Sequence, residues 1–544
     1  MAIGETFIDA TPGFVEAFAV KTFGTHDKVL LLGGLSVGLI VVAAAIGVLA
    51  LRHRSLGVAG IGALGLVGVA SALTRPTATV IDAVPSLAGG LAGAAVVWLL
   101  ARQATRQAYR PPNAGAPEVP APAVPTTEPA APAASAPSRP AAALGTAPPA
   151  ASPEGSAVQA PPLQVPSTQI PSLSVPSMHR PEGGRLAVSR RSFLAAAAVA
   201  GGAAAVSGGA GLALIRHKES VSTASAASLK IPKPASPAPA VDPAWDLKVP
   251  GLTPFFTASK SFYRVDTELV VPQVNAATWR LRIHGMVRHP MTLSLEDLLG
   301  RPLVERDITL SCVSNEVGGR YASNGRWTGV RLKELLEEAG IASRADQIVS
   351  TSVDGWSSGT ATDVVMDGRD SMLAVALGGK PLPAQHGFPV RMLVPGVYGY
   401  ANATKWIVDI EATTFAASDA YWAKRGYAQQ PPPIKTLSRI DTPAPLATIK
   451  AGQTPIAGIA WAQHRGIAKV EVAVDGGPWQ TATLSKEDTA DTWRQFVWMW
   501  DATPGEHSLA VRATDATGAL QPSARVPPLP DGATGWDSVV ITVS

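Results

Sequence analysis

The run Asp307-Ile-Thr-Leu-Ser-Cys-Val-Ser-Asn-Glu316 contains the only cysteine of this 544-residue chain. Further along, His386-Gly-Phe-Pro-Val-Arg391 and Lys405-Trp406 place a histidine, an arginine and a lysine in a stretch punctuated by glycine and proline. A single cysteine cannot form an intramolecular disulfide, so Cys312 is either packing or chemistry. As packing it is a small buried hydrophobe, His386 is a turn residue, and Arg391 and Lys405 are charges at strand ends. As chemistry, a thiolate is a soft ligand for a transition metal. The cationic loop then suits an anionic organic group, because a guanidinium fork and an ammonium both donate to phosphate.

Outward from these runs the pattern is mixed. Trp279-Arg-Leu-Arg-Ile-His-Gly285 alternates with period two and ends in a turn, which predicts a strand. Ser294–Leu299 and Arg331–Ala339 read as short helices, the second stopped by Gly340. Regular strand–helix–strand alternation is missing, as is a Gly-x-Gly-x-x-Gly after a strand, so a dinucleotide-binding fold is disfavoured. Beyond Ile440 short apolar runs (Pro455–Trp461, Ile467–Val474, Phe496–Trp500, His507–Thr514) are separated by turn sequences. That spacing predicts an all-β, immunoglobulin-like sandwich, with Trp461, Trp479, Trp493, Trp498 and Trp500 as core or interface residues.

The amino-terminal part belongs to another class. Val29–Leu51, Leu56–Leu73, Val84–Leu100 and the alanine- and glycine-rich Phe193–Ile215 have no polar face and are expected to span a membrane. Arg52, His53 and Arg54, then Arg102, Arg106 and Arg110, then Arg185, Arg190 and Arg191 flank these runs on one side. The positive-inside bias therefore puts the amino terminus and everything after Ile215 outside the cytoplasm. Ser189-Arg-Arg-Ser-Phe-Leu194 resembles a twin-arginine export signal placed internally. The spans hold no interior histidine, so they are expected to anchor the chain and not to carry haem. The net charge of +4 is small and sits beside apolar runs, which speaks against a nucleic-acid partner. The expected organisation is multidomain: an extracytoplasmic tail (1–28), three membrane helices (29–108) and a Pro/Ala-rich disordered cytoplasmic loop (109–184). A signal with the fourth helix (185–217), a linker (218–242), an α+β domain (243–439) and the β domain (440–544) follow.

In order along the chain stand Phe262-Tyr-Arg264, Trp279–Gly285, Leu310-Ser-Cys312, Arg326-Trp-Thr-Gly-Val-Arg-Leu332 and, after Pro381-Leu-Pro383, His386–Arg391. These resemble the molybdopterin domain of the sulfite oxidase family, in a membrane-anchored, actinobacterial-type form. The resemblance implies an α+β sulfite-oxidase-like fold with a C-terminal dimerisation domain, hence a homodimer, and a molybdenum–molybdopterin cofactor. It implies Cys312 as metal ligand and catalytic residue, Arg264 as an anion-binding catalytic residue, and His386, Arg391 and Lys405 as donors to the pterin and its phosphate. The implied activity is oxygen-atom transfer with sulfite or a related small sulfur compound. Electrons would leave to a separate carrier such as a cytochrome c, since the sequence has no haem or iron–sulfur cysteine motif.

The chain departs from the family pattern where substrate is bound. Val313-Ser-Asn-Glu-Val317 replaces a run that carries an anion-binding arginine, Val375 in Leu373-Ala-Val375 replaces a tyrosine, and the entrance motif reads Arg264-Val-Asp266. Glu316 and Val375 are therefore expected to line an altered substrate pocket. S-oxide or N-oxide reduction is the alternative with the same cofactor, and a non-enzymatic surface protein that reuses the fold is the alternative of another class.

Overall fold

The computed structural model describes Thr11 and residues 27–75, 80–108, 190–430 and 432–544. The expected tail (1–28) and proline-rich loop (109–184) lie almost wholly outside the described residues. Helices α1 (Asp27–Arg52), α2 (Arg54–Leu73), α3 (Val84–Ala108) and α4 (Arg190–Ser228) account for the apolar runs. Three helical stretches among the described residues, Gly33–Ala50, Arg54–Leu73 and Val80–Arg102, are long and apolar enough to cross a membrane. Between α2 and α3 the backbones touch: a Cβ on Gly65 would stand 2.8 Å from the Gly90 Cα. Close approach over small residues is how helices associate where apolar burial gives no driving force.

The expected linker is not a linker throughout. Helix α4 continues to Ser228 through an alanine- and serine-containing run. Leu229 and Ile231 then pack against the core of the following domain.

That domain contains two sheets. In the first, β1 (Arg280–Gly285) lies between β2 (Met291–Ser294) and β10 (Ile407–Thr413), followed by β5 (Gln347–Ser352) and β6 (Ser357–Ala361). Strands β1 and β10 are parallel. In the second, the order is β3 (Val304–Ser311), β4 (Ala322–Arg331), β7 (Met372–Leu377) and β8 (Lys380–Pro381), with β9 (Arg391–Leu393) also on β7. The helices form where expected. α5 (Leu295–Leu299) starts on a Ser294/Asp297 capping box, and α6 (Leu332–Ala339) buries Leu332, Leu335, Leu336 and Ala339 before the left-handed Gly340. The Arg326-Trp-Thr-Gly-Val-Arg331 run is the end of β4, and α6 begins directly after it at Leu332. Gly329 lets the Leu373 carbonyl approach so closely that a Cβ would stand 2.3 Å from it.

Residues beyond 436 are β-rich. One sheet runs β11 (Leu437–Thr442), β13 (Gly452–Trp461), β17 (Arg494–Ala502) and β16 (Thr483–Leu484). The other runs β12 (Thr448–Ile449), β19 (Asp537–Val543), β18 (Gly505–Asp515), β14 (Ile467–Val474) and β15 (Gln480–Thr481). Ile456, Phe496, Val472, Val511 and Ile541 from the two sheets share one core. Trp461 and Trp493 are fully buried, as expected of core residues.

Strand β3, which leads to Cys312, is an edge strand, and its outer edge is covered. The Ala235 N–H donates to the Leu303 carbonyl at 2.8 Å and the Glu305 N–H to Ser236 at 2.9 Å. Further along, the Thr309 N–H donates to the Asp491 carbonyl at 2.9 Å, and the Trp493 N–H to the Thr309 hydroxyl at 2.8 Å. Covering an edge in this way blocks pairing with other chains and fixes the strand.

Beside this seam Arg326 grips buried Asp307 through two hydrogen bonds, at 2.8 and 2.7 Å. Neither buried oxygen of Asp488 receives an N–H or hydroxyl hydrogen bond among the described residues. Burial, and then the Asp307 carboxylate, push the Asp488 carboxyl up to about 7. In the unfolded chain the group titrates near 4 (roughly 3.9). The folded state therefore holds the extra proton between about pH 4 and 7, and this group's contribution to stability is lost as pH rises through 7. Asp488→Asn should raise the melting temperature at pH 8 and leave it unchanged at pH 4. Paired thermal melts across that range check this, and parallel wild-type and variant curves would refute it.

Candidate active site

Residues far apart in sequence converge at the end of β3. Cys312 is the first residue past the strand and is 7% exposed. Burial pushes its thiol above the ordinary range, so the thiol is protonated at neutral pH. His386 ends a short 3-10 turn (Ala384–His386), Arg391 opens β9, and Lys405 immediately precedes the residues leading into β10. Gly387 permits this meeting. Its φ is +106°, and a Cβ there would lie 3.0 Å from the Arg391 Cβ and 3.1 Å from the Lys405 Cα.

The three basic residues are held in different states. Arg391 is 5% exposed, lies 5.2 Å from the Trp327 ring centroid, and makes only long bonds, to the His386 carbonyl at 3.3 Å and to Ala403 at 3.4 Å. Its Nε has no hydrogen-bond partner among the described residues, and burial brings its pKa down to about 10. Burial likewise brings Lys405 down to about 8, against the opposing pull of Asp266. His386 falls to about 4 through burial and is neutral at pH 7. Its Nε2 lies 2.9 Å from the Ser259 carbonyl, which can only accept, so Nε2 carries the proton. This differs from the donor role expected of His386: its one N–H is already used, and Nδ1 is left as an acceptor.

Arg264 sits at the rim, 39% exposed, and its Nε donates to Asp266 Oδ2 at 2.8 Å. The same oxygen accepts from Lys405 Nζ at 2.9 Å. The carboxylate that meets the cations is therefore Asp266. Glu316 is exposed to solvent, and Val375 is wholly buried in the hydrophobic core. Both differ from the pocket-lining positions expected of them. The physical reason is strand alternation for Val375, which packs inward from β7, and loop geometry for Glu316, whose neighbours Asn315 and Val317 take the buried positions.

Two further groups belong to the site. Tyr263 has its hydroxyl held above its ordinary range by burial and by Cys312, and its ring lies 6.4 Å from that of Tyr321. Asp354, in the β5–β6 turn, accepts from the Trp356 N–H at 3.0 Å and from the Ser352 hydroxyl. Burial raises the Asp354 carboxyl, and Asp266 adds to that rise. Tyr263 stands inside the quoted Phe262-Tyr-Arg264 motif and was legible there. Asp266 and Asp354 lie in runs with no local signal for a buried acid.

The family described as oxidoreductase molybdopterin binding domain matches residues 268–422. Mouse mitochondrial sulfite oxidase is 30% identical over 326 residues, covering 51% of this chain and 59% of that protein. The chain thus spans little more than half the length of that relative. An uncharacterized oxidoreductase of Bacillus subtilis, YuiH, is 33% identical over 149 residues, covering 27% of this chain and 72% of that protein. The solved sulfane dehydrogenase SoxCD of Paracoccus pantotrophus aligns at 24% identity over 54% of this chain and 84% of its own, with a TM-score of 0.47. The match to the molybdopterin-binding domain, with 33% identity to a relative of which 72% is covered, places the chain in the sulfite oxidase family of molybdopterin-dependent oxidoreductases.

Proposed function

We propose that this protein is a membrane-anchored oxidoreductase that uses a molybdenum–molybdopterin cofactor for oxygen-atom transfer with sulfite or a related small sulfur compound. One observation carries the reading. Arg391 is a deeply buried cation whose Nε lacks a partner among the described residues, and Ser311 Oγ and Asn315 Nδ2, flanking Cys312, are also buried without one there. Orphaned donors are rare in interiors, and together they fit a large anionic group rich in acceptors. Cys312 would hold the metal. Arg391 and Lys405 would bind the pterin phosphate, and His386 would accept from a ring N–H. When bound, the cofactor supplies two-electron oxygen-atom chemistry. The chain positions it, buries it away from bulk water and sets the charge around it.

Arg264 would steer an anionic substrate from the rim. Its pairing with Asp266 supports the second reading, S-oxide or N-oxide reduction, because part of the guanidinium is already neutralised within the chain. The amino terminus and the catalytic and β domains lie outside the cytoplasm, the paired arginines at 190–191 act as an export signal, and the anchor helices carry no haem. The C-terminal sheets form an immunoglobulin-like dimerisation sandwich, and electrons pass singly to a separate carrier such as a cytochrome c.

Mo(V) electron paramagnetic resonance on the purified protein tests the reading, comparing titanium(III) citrate with sulfite as reductant. A signal with both supports sulfite oxidation. A signal with titanium alone transfers the assignment to S-oxide or N-oxide reduction. Absence of signal and of bound molybdenum in protein made with an adequate molybdenum supply would refute the cofactor.

A further inference from the structure

The segment after Cys312 is closed on itself on one side and gripped from the C-terminal strands on the other. Within it, the Cys312 N–H donates to the Tyr321 carbonyl at 2.9 Å, the Asn315 N–H to the Cys312 carbonyl at 3.1 Å, and the Tyr321 N–H to Asn315 Oδ1 at 2.7 Å. From outside, Arg439 of β11 donates through Nη1 to the Gly319 carbonyl at 2.8 Å. Its other nitrogens are fixed as well, Nε on Asp441 at 2.7 Å and Nη2 on the Thr253 hydroxyl at 3.0 Å. The Arg439 side chain is 7% exposed. Arg525 Nη2 donates to the Val317 carbonyl at 3.3 Å. Gly318, at φ +78°, lies so close to Asp537 that a Cβ would stand 2.6 Å from Oδ1, while Asp537 Oδ2 accepts from the Ile440 N–H at 2.9 Å.

A loop that follows an edge strand is ordinarily the mobile part of a site. Here three consecutive residues, Val317, Gly318 and Gly319, are each met by a charged side chain of the β-rich region. A guanidinium with all three faces engaged is a rigid strut, because its planar fork leaves no rotamer that keeps the bonds.

We propose that Arg439, assisted by Arg525 and Asp537, is a positioning residue for the Cys312 sulfur, so that the C-terminal β region completes the active site and is more than an assembly module. This rests on reading Cys312 as the metal ligand. The clamp itself is a property of the protein without cofactor. The chain's single cysteine makes it directly measurable.

The test uses the full chain, prepared free of cofactor, and follows the rate of Cys312 alkylation by N-ethylmaleimide together with hydrogen exchange in residues 313–321. Arg439→Ala should speed alkylation at least about tenfold, the kinetic equivalent of about 1.4 kcal/mol, and abolish protection in that segment. Arg465→Ala is the comparison. Arg465 binds Asp515 and the Ile434 carbonyl within the same region but does not touch the segment. It should leave both readouts near wild type. Should Arg439→Ala fail to fold, Arg525→Ala, which loses the bond to Val317, is read in the same way. In loaded protein, Arg439→Ala should shift the Mo(V) g-values at equal molybdenum content. Alkylation within twofold of wild type, or an equal rise in Arg465→Ala, would overturn the proposal. If wild-type protein gives no Mo(V) signal, the functional reading fails while the alkylation arm still decides the clamp.

Discussion

Cys312→Ser is expected to cost on the order of 10³-fold or more in turnover, about 4 kcal/mol of transition-state stabilisation, with the fold intact. A hydroxyl is a hard, weakly acidic ligand where a soft thiolate is required, so the loss comes from the metal centre. The structural cost is small by comparison. Serine is nearly isosteric and adds one polar group at a 7% exposed position, a penalty of about 1 kcal/mol. Steady-state assays with sulfite and with a sulfoxide, beside a thermal melt, separate the two. An active serine variant would remove the metal-ligand role and revive the reading of Cys312 as packing. A variant that is inactive because it no longer folds would show up in the melt.

Arg391→Met should act in opposite directions on the empty and the loaded protein. In the empty protein Arg391 is a buried cation held by two long carbonyl bonds. Its fall to about 10 corresponds to roughly 3 kcal/mol spent on desolvation. Two weak bonds return about 1–2 kcal/mol of that. Methionine of similar length relieves the difference, so the cofactor-free variant should melt a few °C higher, for about 1–2 kcal/mol. Binding of an anionic cofactor should then weaken about 10–100-fold, the value of a charged hydrogen bond of roughly 1.5–3 kcal/mol. Molybdenum content by mass spectrometry and melts of cofactor-free protein are the two measurements. A variant less stable when empty and fully loaded when supplied with cofactor would mean that Arg391 is a structural residue.

The site illustrates which parts of such a protein can be read along the chain. Cys312, His386, Arg391 and Lys405 stand in runs whose residue types and glycine and proline punctuation announce them, and in the fold Lys405 acts electrostatically on Cys312 while Gly387 packs against Arg391 and Lys405. Strand β1 follows from its alternation, α6 from its apolar face and Gly340, and the carboxy-terminal strands from runs set between turn sequences. Three of the four expected membrane-length helices follow from composition alone; Phe193–Ile215 is helical but is not among them.

What the chain does not spell out are pairings between residues far apart in it. Asp266 reads as the loss of a family residue, yet in space it is the counter-ion shared by Arg264 and Lys405. Glu316 reads as a pocket carboxylate, and a local turn exposes it. His386 reads as a free donor, but its Nε2–H is engaged by the Ser259 carbonyl. Arg439 gives no local sign that it reaches the segment after Cys312, more than a hundred positions away. Propensity, periodicity and turn chemistry act over a few residues, so the sequence by itself determined the elements and the chemical inventory of the site. Protonation state, charge pairing and loop placement depend on burial and on which distant side chain arrives at each position. Only the tertiary structure decided those.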